Sequence, residues 1–170
     1  DSIVKLSDSE IYVDLGAYNG DTVIEFTEAV HNSFKAVYAF EPNAKNFRKM
    51  SKNIDEKDNI ILYNAGAWSS TGFLSFTKGE GRMSKASADG EALTACYAVD
   101  EAVKENATLI KLDVEGAERQ AILGAERHMR NGARVITALY HRNKDMFDIP
   151  LLIHELNPKL KLFVRHQLYI

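Results

Sequence analysis

Apolar positions along the chain alternate between short continuous runs and longer stretches at helical spacing. Ile11-Tyr12-Val13-Asp14-Leu15 is a nearly unbroken apolar run that stops at Gly16, as a strand buried on both faces does. From Thr22 to His31 the spacing turns helical, with Val23, Phe26 and Val30 near one face. Thr22 and Glu25, three residues apart, predict a capping box at its start. Ala36-Val37-Tyr38-Ala39-Phe40 reads as a second strand, ended by Glu41-Pro42-Asn43. Proline forbids further pairing there, and Asn43 is placed to cap a helix running through Phe47 and Met50.

Ile60 to Tyr63 supplies a third strand. Between Ala65 and Thr77 the alternation around Ser70-Thr71-Gly72 predicts a β-hairpin added to the sheet. Lys78 to Gly90 is rich in small and polar residues and reads as a loop, either a mobile lid or plain surface slack. Leu109 to Leu112 is a fourth strand, Gly116 to Arg130 a helix with Ala117, Ala121, Ala125 and Met129 on one stripe, and Val135 to Tyr140 a fifth strand. A helix around Pro150 to Leu156 and a strand from Leu160 to Val164 complete the series. Strand and helix alternate with short linkers, which predicts an α/β fold: a doubly wound, Rossmann-like, mostly parallel sheet with helices on both faces. No linker-like tract divides residues 1–170, so one domain is expected.

Composition narrows the partners. The 21 basic and 24 acidic residues are spread along the chain for a net charge of -3, which gives no polyanion-binding surface, so nucleic acid is not an expected partner. No apolar run reaches the roughly 20 residues of a spanning helix, so no membrane insertion is expected. The single cysteine, Cys96, forms no internal disulfide and fits a reducing, cytoplasmic setting. The chain opens on Asp1 with a strand only ten residues in, as a fragment of a longer chain would.

In such folds ligands bind beyond the carboxyl ends of the strands, so the residues there are the candidates. The first strand runs into Gly16-Ala17-Tyr18-Asn19-Gly20, a glycine-bearing turn that opens a helix; the second ends at Glu41, 21 positions beyond Gly20. A glycine turn with an acid at the next strand end is the logic of nucleoside recognition, since a carboxylate accepts from both ribose hydroxyls. Tyr18 occupies the place where a dinucleotide fingerprint needs its second glycine, which disfavours a pyrophosphate. A carboxylate at Asp14 repels phosphate and attracts an ammonium or sulfonium group, the charge pattern of S-adenosylmethionine. Taken singly, Asp14 and Asp21 also read as helix caps and Glu41 as a solvated strand end.

Asp14-x-Gly-Ala-Tyr-Asn-Gly-Asp-Thr22, Phe40-Glu-Pro-Asn43, Lys111-x-Asp-Val-Glu-Gly-Ala-Glu118 and Tyr140-His-Arg142 together resemble the FkbM-type methyltransferases, in order and spacing. The resemblance implies a class I S-adenosylmethionine-dependent O-methyltransferase acting on sugar or natural-product hydroxyls. It implies that Asp14, Gly16 and Gly20 line the methionine end of the cofactor and that Ala17, Tyr18, Asn19 and Thr22 of the same turn also bind it. Glu41 with Asn43 would hold its ribose, Asn64, Ala65 and Gly66 its adenine, and Asp113 would face the reactive methyl. It also sets Arg165-His166 beside the substrate, and it leaves no turn between His166 and Gln167 before a final strand, so a chain break is expected there.

Methyl transfer to an alcohol needs in-line orientation and a proton acceptor. Asp113, Glu115 and His141 are the candidates for that catalytic role. Glu115 reads first as a cap or brace for the helix beginning at Gly116, His141 equally as the partner of a carboxylate, and Lys111 as a snorkelling or ion-paired strand residue. His31, His128 and His154 are expected on solvent-facing helix positions. Asp113, Glu115 and His141 could also ligate a metal, but an Asp-x-Glu spacing does not demand one and none is assigned. A nicotinamide-dependent oxidoreductase and a non-catalytic nucleoside-binding or assembly module remain the alternatives. The acceptor, an oligomer and any further partner are not legible in these residues.

Overall fold

The computed structural model describes residues 4–55, 57–77, 80–83 and 93–165. In chain order the elements are β1 (Ile11–Leu15), α1 (Asp21–Ala29), β2 (Ala36–Phe40), α2 (Ala44–Asn53), β3 (Ile60–Tyr63), β4 (Gly66–Ala67), β5 (Gly72–Thr77) and β6 (Glu80–Met83). They continue with β7 (Leu93–Tyr97), α3 (Val99–Ala102), β8 (Leu109–Leu112), α4 (Glu118–Leu123), α5 (Glu126–Arg130), β9 (Arg134–Thr137) and α6 (Asp145–Leu156). Five strands form one parallel sheet in the order β3-β2-β1-β8-β9. The chain leaves β3 at one edge and re-enters at β8 beside β1, so the direction of winding reverses between β1 and β8. That reversal is where this architecture opens a crevice.

Side chains alternate across the sheet, and the core divides accordingly. Ile11, Val13 and Leu15 of β1 pack with α3 to α6, through Val99, Ile122, Met129 and Ile149 among others. Tyr12 of the same strand packs with Val23 and Phe26 of α1 and Met50 of α2 on the opposite face. Tyr12 stacks on Phe26 at 4.4 Å between ring centres. Helices on both faces of a parallel sheet are what the sequence predicts. Among the described residues no helix is long and apolar enough to cross a membrane.

Several expectations are corrected. Residues 65–77 do not form a hairpin on the main sheet: β4 and β5 lie in a separate four-stranded sheet of order β4-β7-β5-β6, with β7 between them. The antiparallel partner of β5 on its other side is β6, inside the stretch expected to be loop; residues 78–79 and 84–92, with the lid expectation, lie outside the described residues. The helix expected over Gly116 to Arg130 is two, parted at Gly124 and Ala125, where Ala125 leaves the helical conformation; a side chain on Gly124 would collide with the carbonyl oxygen of Trp68. The capping box is absent: Gly20 takes the N-cap of α1 with no side-chain bond, and Thr22 donates its hydroxyl to Asp14 instead.

At the C-terminal end, α6 begins at Asp145, with Pro150 inside it. β9 stops at Thr137, short of Tyr140. Leu160 to Val164 pairs with no strand among the described residues, and Leu162, Phe163 and Val164 are exposed. His166 and the expected break before Gln167 lie outside the described residues. His128, expected at the surface, is completely buried, its Nδ1 accepting the Ala107 N–H at 3.1 Å. His31 is exposed but sits in the turn after α1, and His154 is exposed on α6.

Candidate active site

A cleft of about 880 Å³ opens beyond the carboxyl ends of β1, β2 and β8, at the reversal of winding. Its size falls within the ~300–1,000 Å³ typical of small-ligand sites. A second hollow of about 210 Å³ lies between α1 and the end of α2, lined by none of the candidate site residues.

The turn after β1 is built by backbone constraints. The N–H groups of Gly16 and Ala17 both donate to the Phe40 carbonyl, at 3.0 and 3.0 Å, tying the end of β1 to β2. Gly16 has φ +84°, and a side chain there would strike the carbonyl oxygen of Asp113; only glycine meets both demands. Tyr18 also has a positive φ, +49°, and its N–H donates to Glu41 Oε2 at 2.9 Å. Glu41 Oε1 accepts from the Asn43 N–H at 2.8 Å. Glu41 is thus pinned at both oxygens, yet each keeps a further lone pair at the cleft wall. Asn43 caps α2 as expected, its Oδ1 accepting from Lys45 and Asn46.

Asp14 lies behind this wall. It is fully buried on β1, opposite Lys111 of β8 in the sheet register. Lys111 Nζ sits 3.0 Å from Asp14 Oδ1 and 3.2 Å from the Gly16 carbonyl, and Thr22 donates to Oδ2. The expected anionic attraction from Asp14 is therefore neutralised in place by Lys111. Burial, with the Asp14 carboxylate beside it, pushes the Tyr12 hydroxyl well above its ordinary value.

The cleft is lined by Gly16, Tyr18, Thr22, Glu41, Asn43, Gly66 and Asp113 from the expected set. Ala17, Asn19, Gly20, Asn64 and Ala65 support it from behind: Asn64 donates to the Glu41 carbonyl at 2.9 Å, and Asn19 receives Asn53 at 3.0 Å. Phe40, Trp68, Leu74, Lys111 and Arg142 also line it. Phe40 is backed by Tyr63, stacked at 4.4 Å. Leu74 comes from the second sheet and Trp68 directly follows its strand β4; the position of that sheet beside the main one is not visible in a periodicity.

On the β8 side the three catalytic candidates converge. His141 Nε2 is 3.4 Å from Asp113 Oδ1 and 3.4 Å from Glu115 Oε2. Its Nδ1 donates to Glu118 Oε1 at 2.7 Å, which also accepts the Val114 N–H at 3.1 Å. Glu118 is 1 % exposed and Glu115 89 % exposed. Sequence reasoning gives Glu118 no role; the only signal is its place at the end of the Lys111–Glu118 motif, which predicts no burial. Glu115 does not cap α4, whose N-cap is Ala117; it stands in the left-handed region at φ +52°. Arg142, whose Nε would lie 3.0 Å from a Cβ on Gly116, crowns this corner.

The architecture is that of class I methyltransferases. An rRNA methylase from Streptococcus thermophilus superposes with TM-score 0.55 at 18% identity, over 86% of this chain and 71% of that one. A precorrin-6y C5,15-methyltransferase from Geobacter metallireducens GS-15 does so with TM-score 0.52 at 15% identity, over 91% and 65%. The chain itself belongs to the FkbM methyltransferase domain family, whose model matches residues 14–169. A methyltransferase FkbM from Methylobacillus flagellatus KT has TM-score 0.78 at 23% identity; the match covers 94% of this chain but 40% of that one. No curated protein sequence matches the chain.

Proposed function

We propose that the chain moves a methyl group from S-adenosylmethionine to a hydroxyl of a small molecule, sugar or glycan by in-line displacement. The observation that carries this reading is the charge of the cleft. Its lining holds four acids, Asp21, Glu41, Asp113 and Glu115, against two bases, Lys111 and Arg142, and Lys111 is committed to Asp14. Such a wall favours a cationic ligand without phosphates and opposes a pyrophosphate. The turn N–H groups of Gly16, Ala17 and Tyr18 that would cradle a phosphate are spent on Phe40 and Glu41.

The residues fit the cofactor. Glu41 would hold the ribose hydroxyls, Gly66, Ala67 and Phe40 the flat base, and Gly16, Thr22 and Asp113 the amino-acid end. When bound, S-adenosylmethionine supplies a methyl group on a positively charged sulfur. The chain supplies the rest. Its β1 turn fixes one reactant, the apolar wall of Trp68 and Leu74 excludes water, and the corner of Asp113, Glu115 and His141 receives the proton of the attacking hydroxyl. A cytoplasmic setting accords with Cys96, a buried thiol outside any disulfide.

A transfer assay tests the reading: methyl-labelled S-adenosylmethionine is incubated with a panel of hydroxylated metabolites and glycans, with an amine series and an RNA pool alongside. Label on a hydroxyl, lost in Asp113→Asn, is the expected result. Label on nitrogen, carbon or RNA alone would overturn the acceptor class.

A further inference from the structure

Three carboxylates surround one imidazole at the β8–β9 corner: Asp113, Glu115 and Glu118. A carboxylate only accepts hydrogen bonds, so the 2.7 Å contact to buried Glu118 places the proton of neutral His141 on Nδ1. That leaves the Nε2 lone pair directed at two carboxylate oxygens. Nε2 lies 3.4 Å from each and makes no hydrogen bond among the described residues. The His141 side chain is 9 % exposed, and this nitrogen faces the acidic pair without a hydrogen bond to either. The far oxygen of the backing group, Glu118 Oε2, is itself buried without a partner. The nearby donors are Tyr140, whose hydroxyl is 3.4 Å from Asp113 Oδ1, and Arg142, which stands over Gly116.

The geometry points to a divalent cation, of the Mg²⁺ or Mn²⁺ kind, held by Asp113 Oδ1, Glu115 Oε2 and His141 Nε2. The three atoms all lie within 4.8 Å of one another. With Nε2 3.4 Å from both oxygens and the oxygens no more than 4.8 Å apart, the nearest point equidistant from all three is no more than about 2.4 Å from each, within the ~2.0–2.6 Å at which oxygen and nitrogen ligands hold such ions. A histidine that ligates a metal typically gives its other ring N–H to a carboxylate, which fixes the ring and strengthens the bond; Glu118 does this from a fully buried position. Mixed carboxylate and imidazole ligands suit a six-coordinate ion with positions left for water or substrate. Asp113 and Glu115 both line the cleft, so the open face of the ion is toward the ligand. What the ion does there rests on the methyl-transfer reading: it would bind the acceptor hydroxyl and lower its pKa, the proton passing to the Glu115 oxygen that does not ligate, and the resulting alkoxide would displace S-adenosylhomocysteine from the methyl carbon. Whether the ion binds does not depend on that reading.

The probe is Mn²⁺ alone, titrated into the cofactor-free protein and followed by the EPR signal of the free ion, with pulsed EPR on the bound ion. One Mn²⁺ per chain, bound well below millimolar and showing the nitrogen coupling of a single imidazole, is expected. Asp113→Asn and His141→Ala should weaken binding at least tenfold, and Glu118→Gln about tenfold through the ring it orients. Glu126→Gln, an exposed acid on α5 paired with Arg130, should leave it unchanged. Weaker than millimolar binding, affinity retained in His141→Ala, or a bound ion without nitrogen coupling would each overturn the site. If His141→Ala fails to fold, the coupling in the native protein decides alone. Calorimetry with S-adenosylmethionine on the same samples reads the cofactor site separately, so failure of one proposal is not failure of the other.

Discussion

The two sides of the cleft are built on opposite principles. On the β1–β2 side the strand-end carboxylates are held in place by their partners. Asp14 is sealed between Lys111 and Thr22, Glu41 is pinned by two backbone N–H groups, and the glycine turn is locked to Phe40. On the β8–β9 side the charges outnumber their partners: Glu115 projects into solvent, Nε2 of His141 lacks a hydrogen bond, and Glu118 Oε2 is buried alone. A fully satisfied network is rigid and suits one invariant ligand, whereas unsatisfied groups store binding capacity at a cost in stability. The contrast accords with a fixed cofactor on one side and an exchangeable acceptor on the other.

The committed side should break hardest. Replacing Lys111 with Met leaves Asp14 buried and unpaired, an expected loss of about 3–5 kcal/mol in urea unfolding. The double variant Lys111→Met with Asp14→Asn should recover most of that loss, because the stranded charge is gone. A single variant as stable as the native protein would show that the pair does not organise this side. Next comes Glu41→Gln, which keeps the size of the side chain but loses an acceptor. Its affinity for S-adenosylmethionine should fall by one to two orders of magnitude, about 1.5–3 kcal/mol for hydrogen bonds to a charged group; calorimetry reads this directly.

The uncommitted side should respond with the opposite sign. Glu115→Gly relieves a non-glycine residue at φ +52° and removes one charge from a crowded corner. It should raise stability by about 1 kcal/mol, read as a higher urea midpoint, while methyl transfer falls. A destabilised variant would mean that Glu115 braces the fold after all.

Acid separates both sides from the rest of the molecule. Burial, then the Arg127 guanidinium, lowers the pKa of His128 from its ordinary 6.5, with Asp100 opposing. Burial pushes Glu10 up, but hydrogen bonds from Thr108, Arg134 and Ser7 outweigh it and hold the carboxyl below its ordinary 4.5. In each case the unfolded chain takes up its proton at a higher pH than the native one. Stability present above those ordinary values is therefore lost as pH falls, first below 6.5 for His128 and then below 4.5 for Glu10. Thermal unfolding from pH 8 to 4 should show both falls in the native protein, and His128→Gln should lack the first.

The main sheet was legible because strands buried on both faces read as continuous apolar runs, and β1, β2, β3 and β8 fall where those runs do. β7, Leu-Thr-Ala-Cys-Tyr, escaped because it is half-exposed and mixes small, polar and aromatic residues. The α4–α5 break escaped because the apolar stripe passes unbroken through Gly124, whose need arises from a distant carbonyl, Trp68. The glycine turn and Glu41 are local in sequence and could be read as a pair. Burial of Glu118 and His128, by contrast, depends on which helix packs where, and a charged or polar letter carries no mark of that. Lys111 in an apolar strand was the one visible hint that Asp14 is not a free carboxylate.

The central claim is that the cleft is a site for S-adenosylmethionine, and calorimetric titration tests it most directly. The account predicts one molecule bound per chain with a dissociation constant well below 1 mM, weakened by Glu41→Gln, and no comparable heat from NAD or NADH. Absence of binding at millimolar cofactor, or tighter binding of the dinucleotide, would contradict it.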